Sequence, residues 1–135
     1  RYVVLDLPAP VWDVPAYAMK RCERVLILTE TRSASDARDA TYLIESLRKY
    51  GIPEVSMTLV ANRTSKQDPI TVSQLAEACG LASAVALPND TRGTQEALRA
   101  RSPVVEHAPS SALARALEQL AKLVSEPAPR AEQAA

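Results

Sequence analysis

Apolar residues along this chain fall into two alternating kinds of run. The first kind is short and unbroken: Tyr2-Val3-Val4-Leu5, Arg24 to Glu30 (RVLILTE), Val55 to Ala61 (VSMTLVA) and Ala84 to Leu87. Blocks of this length, apolar on both faces, predict strands buried on both sides of a parallel sheet. The second kind repeats every three or four positions. Val14 to Cys22 carries Ala16, Tyr17, Ala18 and Met19 and predicts a short helix. Ser33 to Tyr50 places Ala40, Leu43, Ile44 and Leu47 on one face, with Ser33 or Ser35 to cap its start and Gly51 and Pro53 to end it. Thr71-Val72-Ser73-Gln74 fits a capping box, opening a helix that ends at Gly80. Glu96 to Arg101 and Leu113 to Val124 are the last helical stretches. The strand–helix alternation predicts an α/β fold, a mostly parallel sheet flanked by helices. Residues 1–124 form the domain, and the closing SEPAPRAEQAA (125–135) reads as a flexible tail. With four strands, the first lacking a preceding helix, the pattern suits half of a larger doubly wound domain.

Composition narrows the chemistry. The chain has 135 residues, 47% of them hydrophobic and 24% charged, as in soluble globular proteins. Sixteen basic and sixteen acidic residues cancel, which gives no electrostatic footprint for specific nucleic-acid binding and no polybasic membrane anchor. No apolar stretch approaches the roughly 20 residues needed to span a bilayer. Cys22 and Cys79 stand far apart, without disulfide or zinc spacing, and read as reduced thiols of a cytoplasmic protein. The chain opens at Arg1, directly before a core-type block, which predicts a piece of a longer protein. Gly51, Gly80 and Gly93 are isolated, and the chain holds neither GxxxxGK[ST] nor GxGxxG, so a complete NTPase site is absent from it. His107 has only Glu106 beside it and reads as structural or exposed, and no GxSxG elbow supports nucleophilic catalysis.

The remaining candidates gather where the predicted strands end: Asp6, then Glu30, then Asn62 and Arg63, then Pro88, Asn89 and Asp90. In open α/β sheets ligands bind at the carboxyl ends of the strands. The same residue types are also ordinary turn formers, so each position has a plain structural reading beside the functional one.

In this order the motifs resemble the C-terminal half of the MinD/ParA class of deviant P-loop ATPases. Within that class they are most similar to the CpaE/TadZ-type ATPases that place and assemble Flp/Tad pili. YVVLDLP resembles the family's Walker B/switch II strand, and CERVLILTETRSASDARDATYLIESLRKYG its next strand and helix. VANR, ALPND and RSPVVEHAPSSALARALEQLAKL resemble its later strands and closing segment. The resemblance implies a partial P-loop NTPase domain lacking the Walker A half, with ATP/ADP and magnesium as cofactors of the whole protein. It implies Asp6 as organiser of magnesium and the attacking water. Asn62 becomes the adenine contact, Arg63 its neighbour at the base or ribose, and Pro88, Asn89 and Asp90 a wall of the base pocket. It further implies a homodimeric switch, pilus or secretion machinery as partners, and recruitment to a cell pole or inner-membrane assembly.

One departure bears on mechanism. The family commonly carries Asp-x-Pro-x-Gly at switch II, whereas Asp6-Leu7-Pro8 is followed here by Ala9-Pro10. A proline there stiffens the loop and predicts slow turnover or simple nucleotide gating. Two alternatives stay open: a non-catalytic interaction module of the same fold, and a partition or division-site placement ATPase. The latter needs a basic face, for which Arg92, Arg99 and Arg101 form only a small cluster. The last helix, with Leu113, Leu117, Leu120 and Val124 on one face among mixed charges, reads as core packing rather than a lipid-binding helix.

Overall fold

A computed structural model of the protein describes residues 2–9 and 12–126. Three of the four apolar blocks form strands: β1 (Val25–Thr29), β2 (Met57–Thr64) and β3 (Ala84–Pro88). All pair in parallel, in the order β1-β2-β3, with Val25 opposite Met57 and Leu59 opposite Ala84. Among the described residues six α-helices surround them: α1 (Asp13–Met19), α2 (Ala34–Lys49), α3 (Val72–Ala78), α4 (Thr91–Ala100), α5 (Val104–His107) and α6 (Ala112–Ser125).

The first block is the exception. Tyr2 to Leu5 forms no strand, and Val3 and Val4 are 88% and 90% exposed. A strand exists through its hydrogen-bonded neighbours, and β1 is bonded only to β2 among the described residues. With no partner for its backbone and no layer over its side chains, the block stays open to solvent. Among the described residues the sheet is therefore three-stranded, and Asp6, expected at a strand end, sits in an exposed non-strand segment.

Alternation along the strands creates two faces. Val25 and Ile27 of β1, with Met57, Leu59 and Ala61 of β2, face the helix side, where they pack with Ala40, Ile44 and Leu47 of α2 and Leu75 and Cys79 around α3. Met19 and Cys22 pack against the same cluster. The other face is covered over β2 and β3, where Val60 and Leu87 are buried together with Ala114 of α6, which packs on β3.

Local signals set most boundaries. Ser33 caps α2 by accepting from Asp36 N, while Asp36 Oδ2 accepts from Ser33 N at 2.7 Å. Thr71 and Gln74 make the corresponding box at α3. Gly51 and Gly80 follow the two helix ends at φ +77° and +65°, the left-handed conformation that glycine adopts without a β-carbon penalty. The helix expected from Glu96 to Arg101 begins earlier, at Thr91, because Asp90 caps it, and α5 was not expected at all. The tail expected over 125–135 lies outside the described residues except for Ser125, the last residue of α6, and Glu126, its C-cap. Pro10, the expected stiffener of the loop after Asp6, lies outside them too.

Candidate functional site

The carboxyl ends of β2 and β3 do not simply stop. Arg63 adopts φ +56°, left-handed for a side chain that strongly prefers otherwise, and the β2–β3 register shifts between Ala61 and Thr64. Such a conformation costs on the order of 1–2 kcal/mol for a non-glycine residue. It is held in place beyond the bulge, where Asn89 N donates to Thr64 O at 2.9 Å and Thr64 Oγ1 donates to Leu87 O at 3.3 Å. The bulge turns Asn62 and Arg63 toward the groove between the strand ends and the helices that follow β3.

That groove has a volume of about 500 Å³, within the range of small-molecule sites. Asn62, Arg63, Pro88, Asn89 and Asp90 all line it, so five of the sequence candidates meet in one place. Leu87, Val104, Leu113 and Leu117 give it apolar walls, and Thr91, Thr94 and Gln95 give it further polar edges. The sequence reading missed these. Leu113 and Leu117 have the spacing of core packing, and the first turn of α4 lies ahead of the helix expected from Glu96; an N-cap reading of Asp90 is the signal that could have found it.

Asp90 is largely occupied by its own backbone. Its Oδ1 accepts from Gly93 N at 2.8 Å, capping α4, and its carbonyl accepts from Thr94 Oγ1 at 2.6 Å. A β-carbon at position 93 would stand 2.8 Å from Asp90 Cγ, which explains the third glycine.

At the ends of β1 and β2 the charges form a chain. Glu30 lies between Arg32, whose Nε is 2.9 Å from Oε2, and Arg63, whose Nη1 is 3.8 Å from Oε1. These pairs are partly exposed and contribute little to stability. Beside them Thr31, almost wholly buried, donates from Oγ1 to Asp68 Oδ2, and Ser65 N donates to the same oxygen at 2.8 Å. Those bonds, the Thr31 hydroxyl first, hold the Asp68 carboxyl below the usual range. Asp68 thereby ties the loop after β2 to the loop after β1.

Asp6 is not among the residues lining the groove. His107 is exposed at the end of α5. Among the described residues no group of three or more His, Cys, Asp or Glu is placed to hold a metal ion, and no helix is long and apolar enough to cross a membrane. The polar lining of the groove consists of amides, hydroxyls, one guanidinium and one carboxylate, set against apolar walls.

The architecture is that of part of a ParA-like NTPase domain. A ParA family ATPase from Chlorobium tepidum TLS superposes with a TM-score of 0.72 at 22% sequence identity, over 84% of this chain and 47% of the other. This chain thus spans about half the length of that ATPase. No family model and no curated protein matches the chain.

Proposed function

We propose that this chain is the base-binding half of a MinD/ParA-like ATPase, acting in the manner of CpaE/TadZ-type proteins as a nucleotide-dependent, dimeric positioning switch for Flp/Tad pilus assembly. The observation that carries the nucleotide reading is the convergence of Asn62, Arg63, Pro88, Asn89 and Asp90 on one groove at the carboxyl ends of two parallel strands. The Asn62 amide offers one donor and one acceptor, the pair needed by the amino group and ring nitrogen of adenine. Leu87, Pro88, Leu113 and Leu117 supply apolar surface for its faces, and Arg63 a cation beside the base or ribose. ATP with magnesium would supply the hydrolysable phosphate, and its phosphate end would rest on a glycine-rich lysine loop that these 135 residues do not contain. This chain by itself should therefore bind ATP weakly, because phosphate and metal contacts dominate such sites. Asp6 is assigned the organisation of magnesium and the attacking water in the complete protein. The dimer, the pilus machinery and recruitment to a pole or inner-membrane assembly extend the resemblance to the CpaE/TadZ group.

The test uses the complete protein and a fluorescent ATP analogue. Asn62→Ala is expected to weaken binding about fivefold, the effect of one lost hydrogen bond of about 1 kcal/mol. Unchanged affinity would remove Asn62 from the base pocket. Asp6→Ala is expected to abolish ATP turnover while leaving the thermal transition in place, and persistent turnover would sink its assigned role. If the complete protein binds no nucleotide at all, the non-catalytic interaction module becomes the better reading.

A further inference from the structure

Two polar side chains are buried among the described residues, Thr31 and Ser56. Burying a hydroxyl is unfavourable unless it finds a partner. Ser56 finds one within its own turn, donating to Pro53 O at 2.6 Å. Thr31 instead reaches across the fold, to the Asp68 carboxylate 37 positions away. That carboxylate also accepts from Ser65 N, and Asp68 N donates to Ser65 O at 3.2 Å, so residues 65–68 form one closed turn. The buried hydroxyl pins this turn to the loop between β1 and α2. Thr64, directly before it, is pinned to the end of β3 through Asn89 N and Leu87 O. Asn62 and the left-handed Arg63 lie just ahead of both anchors.

A non-glycine residue keeps a left-handed backbone only where its surroundings hold it there. The Glu30–Arg63 ion pair, exposed and 3.8 Å long, is too weak to do so. A charge-assisted bond from a buried hydroxyl is stronger. We infer that Thr31 and Asp68, neither of which lines the groove, are positioning residues for it: their bond fixes the segment 64–68, holds the Arg63 bulge and so aims Asn62 and Arg63 into the groove. For its ligand this role rests on the nucleotide reading above, whereas the tether does not depend on it.

Amide hydrogen exchange on the complete protein reads the tether without any ligand. In Thr31→Val, which removes the donor, the Asp68 and Asn89 amides are expected to exchange at least about tenfold faster than in the parent. Thr31→Ser, which keeps the hydroxyl, should restore most of the protection. Asn89 is the diagnostic position, because its amide bonds Thr64 on the β3 side of the bulge. An unchanged Asn89 amide would overturn the proposal. If Thr31→Val fails to fold, Asp68→Ala breaks the same bond from the partly exposed loop and must give the same acceleration. Ser56→Ala removes the other buried hydroxyl and should leave both amides unchanged. Equal acceleration in that variant would reduce the effect to general loss of stability and overturn the proposal. With the fluorescent ATP analogue, Thr31→Val and Asp68→Ala should each weaken binding at least about fivefold, and the double variant no more than either alone. Additive losses would show that the two residues do not act through one bond. If Asn62→Ala weakens binding and Thr31→Val does not, the positioning role falls while the base-pocket reading stands. If the parent binds no nucleotide, the base-pocket reading falls, and the Asn89 amide alone upholds or overturns the tether.

Discussion

Asp68, on the loop after β2, is fixed by one side-chain and one backbone donor. Asp68 accepts from the Thr31 hydroxyl and from Ser65 N, and both bonds favour its charged form. A carboxyl lowered in this way stabilises the fold fully above its ordinary range near pH 4, and the contribution disappears as the pH falls through the lowered value. Asp68→Asn is therefore expected to reduce the melting temperature at neutral pH. The gap from the parent should close on acidification below about pH 4. A gap that stays constant would mean that the shape of the contact matters and its charge does not. Cys79 lies at the other extreme. It is buried, burial pushes its thiol up, and the nearby Thr41 hydroxyl only partly offsets this, so its role is packing.

Elements reveal what can be read from order along the chain. The blocks at Arg24–Glu30 and Ala84–Leu87 were legible as strands from their unbroken apolar runs, although neither is buried on both faces, and the long helix after Ser33 from its apolar face, its cap and Gly51 after its end. Tyr2 to Leu5 carried the same strand pattern and forms none, since periodicity records which side chains would be buried, not whether a neighbouring strand exists to bury them. The groove was half legible. Its polar members fall at strand ends, while Leu113 and Leu117 arrive from a helix some fifty residues after Asn62, at spacing indistinguishable from ordinary core. The left-handed Arg63 had no signal at all, being neither glycine nor asparagine. The start of α4 was visible only to a reading that gave Asp90 two duties. Asp90→Ala should destabilise by about 1 kcal/mol through loss of the cap. Gly93→Ala should also destabilise, despite alanine's helix preference of about 1 kcal/mol over glycine, because its β-carbon would displace the Asp90 carboxylate. In the Asp90→Ala background the same change should become stabilising. Thermal unfolding of the four proteins tests this, and simple additivity would show that the two positions are not coupled.

At the scale of the molecule, the three parallel strands of the described residues carry α2 and α3 on one side and α6 on the other, with β1 and β3 as the two edges. The candidate groove lies toward β3, and its walls come from β2, β3, α4, α5 and α6, all within this chain.

The bond from Arg24 Nη2 to the carbonyl of Glu126, 3.1 Å long, joins residues 102 positions apart. Together with the buried packing of Ala114 in α6, it makes the last helix the closure of the unit. Ribosomes deliver a chain from its N-terminus at about 5–20 residues per second. Throughout that interval β2 and β3 would exist with one apolar face bare, Val60 and Leu87 included. The nascent protein is thus most vulnerable to aggregation and most accessible to chaperones between emergence of β3 and emergence of α6. Translational pausing in that window would prolong the risk, whereas pausing after Glu126 would not.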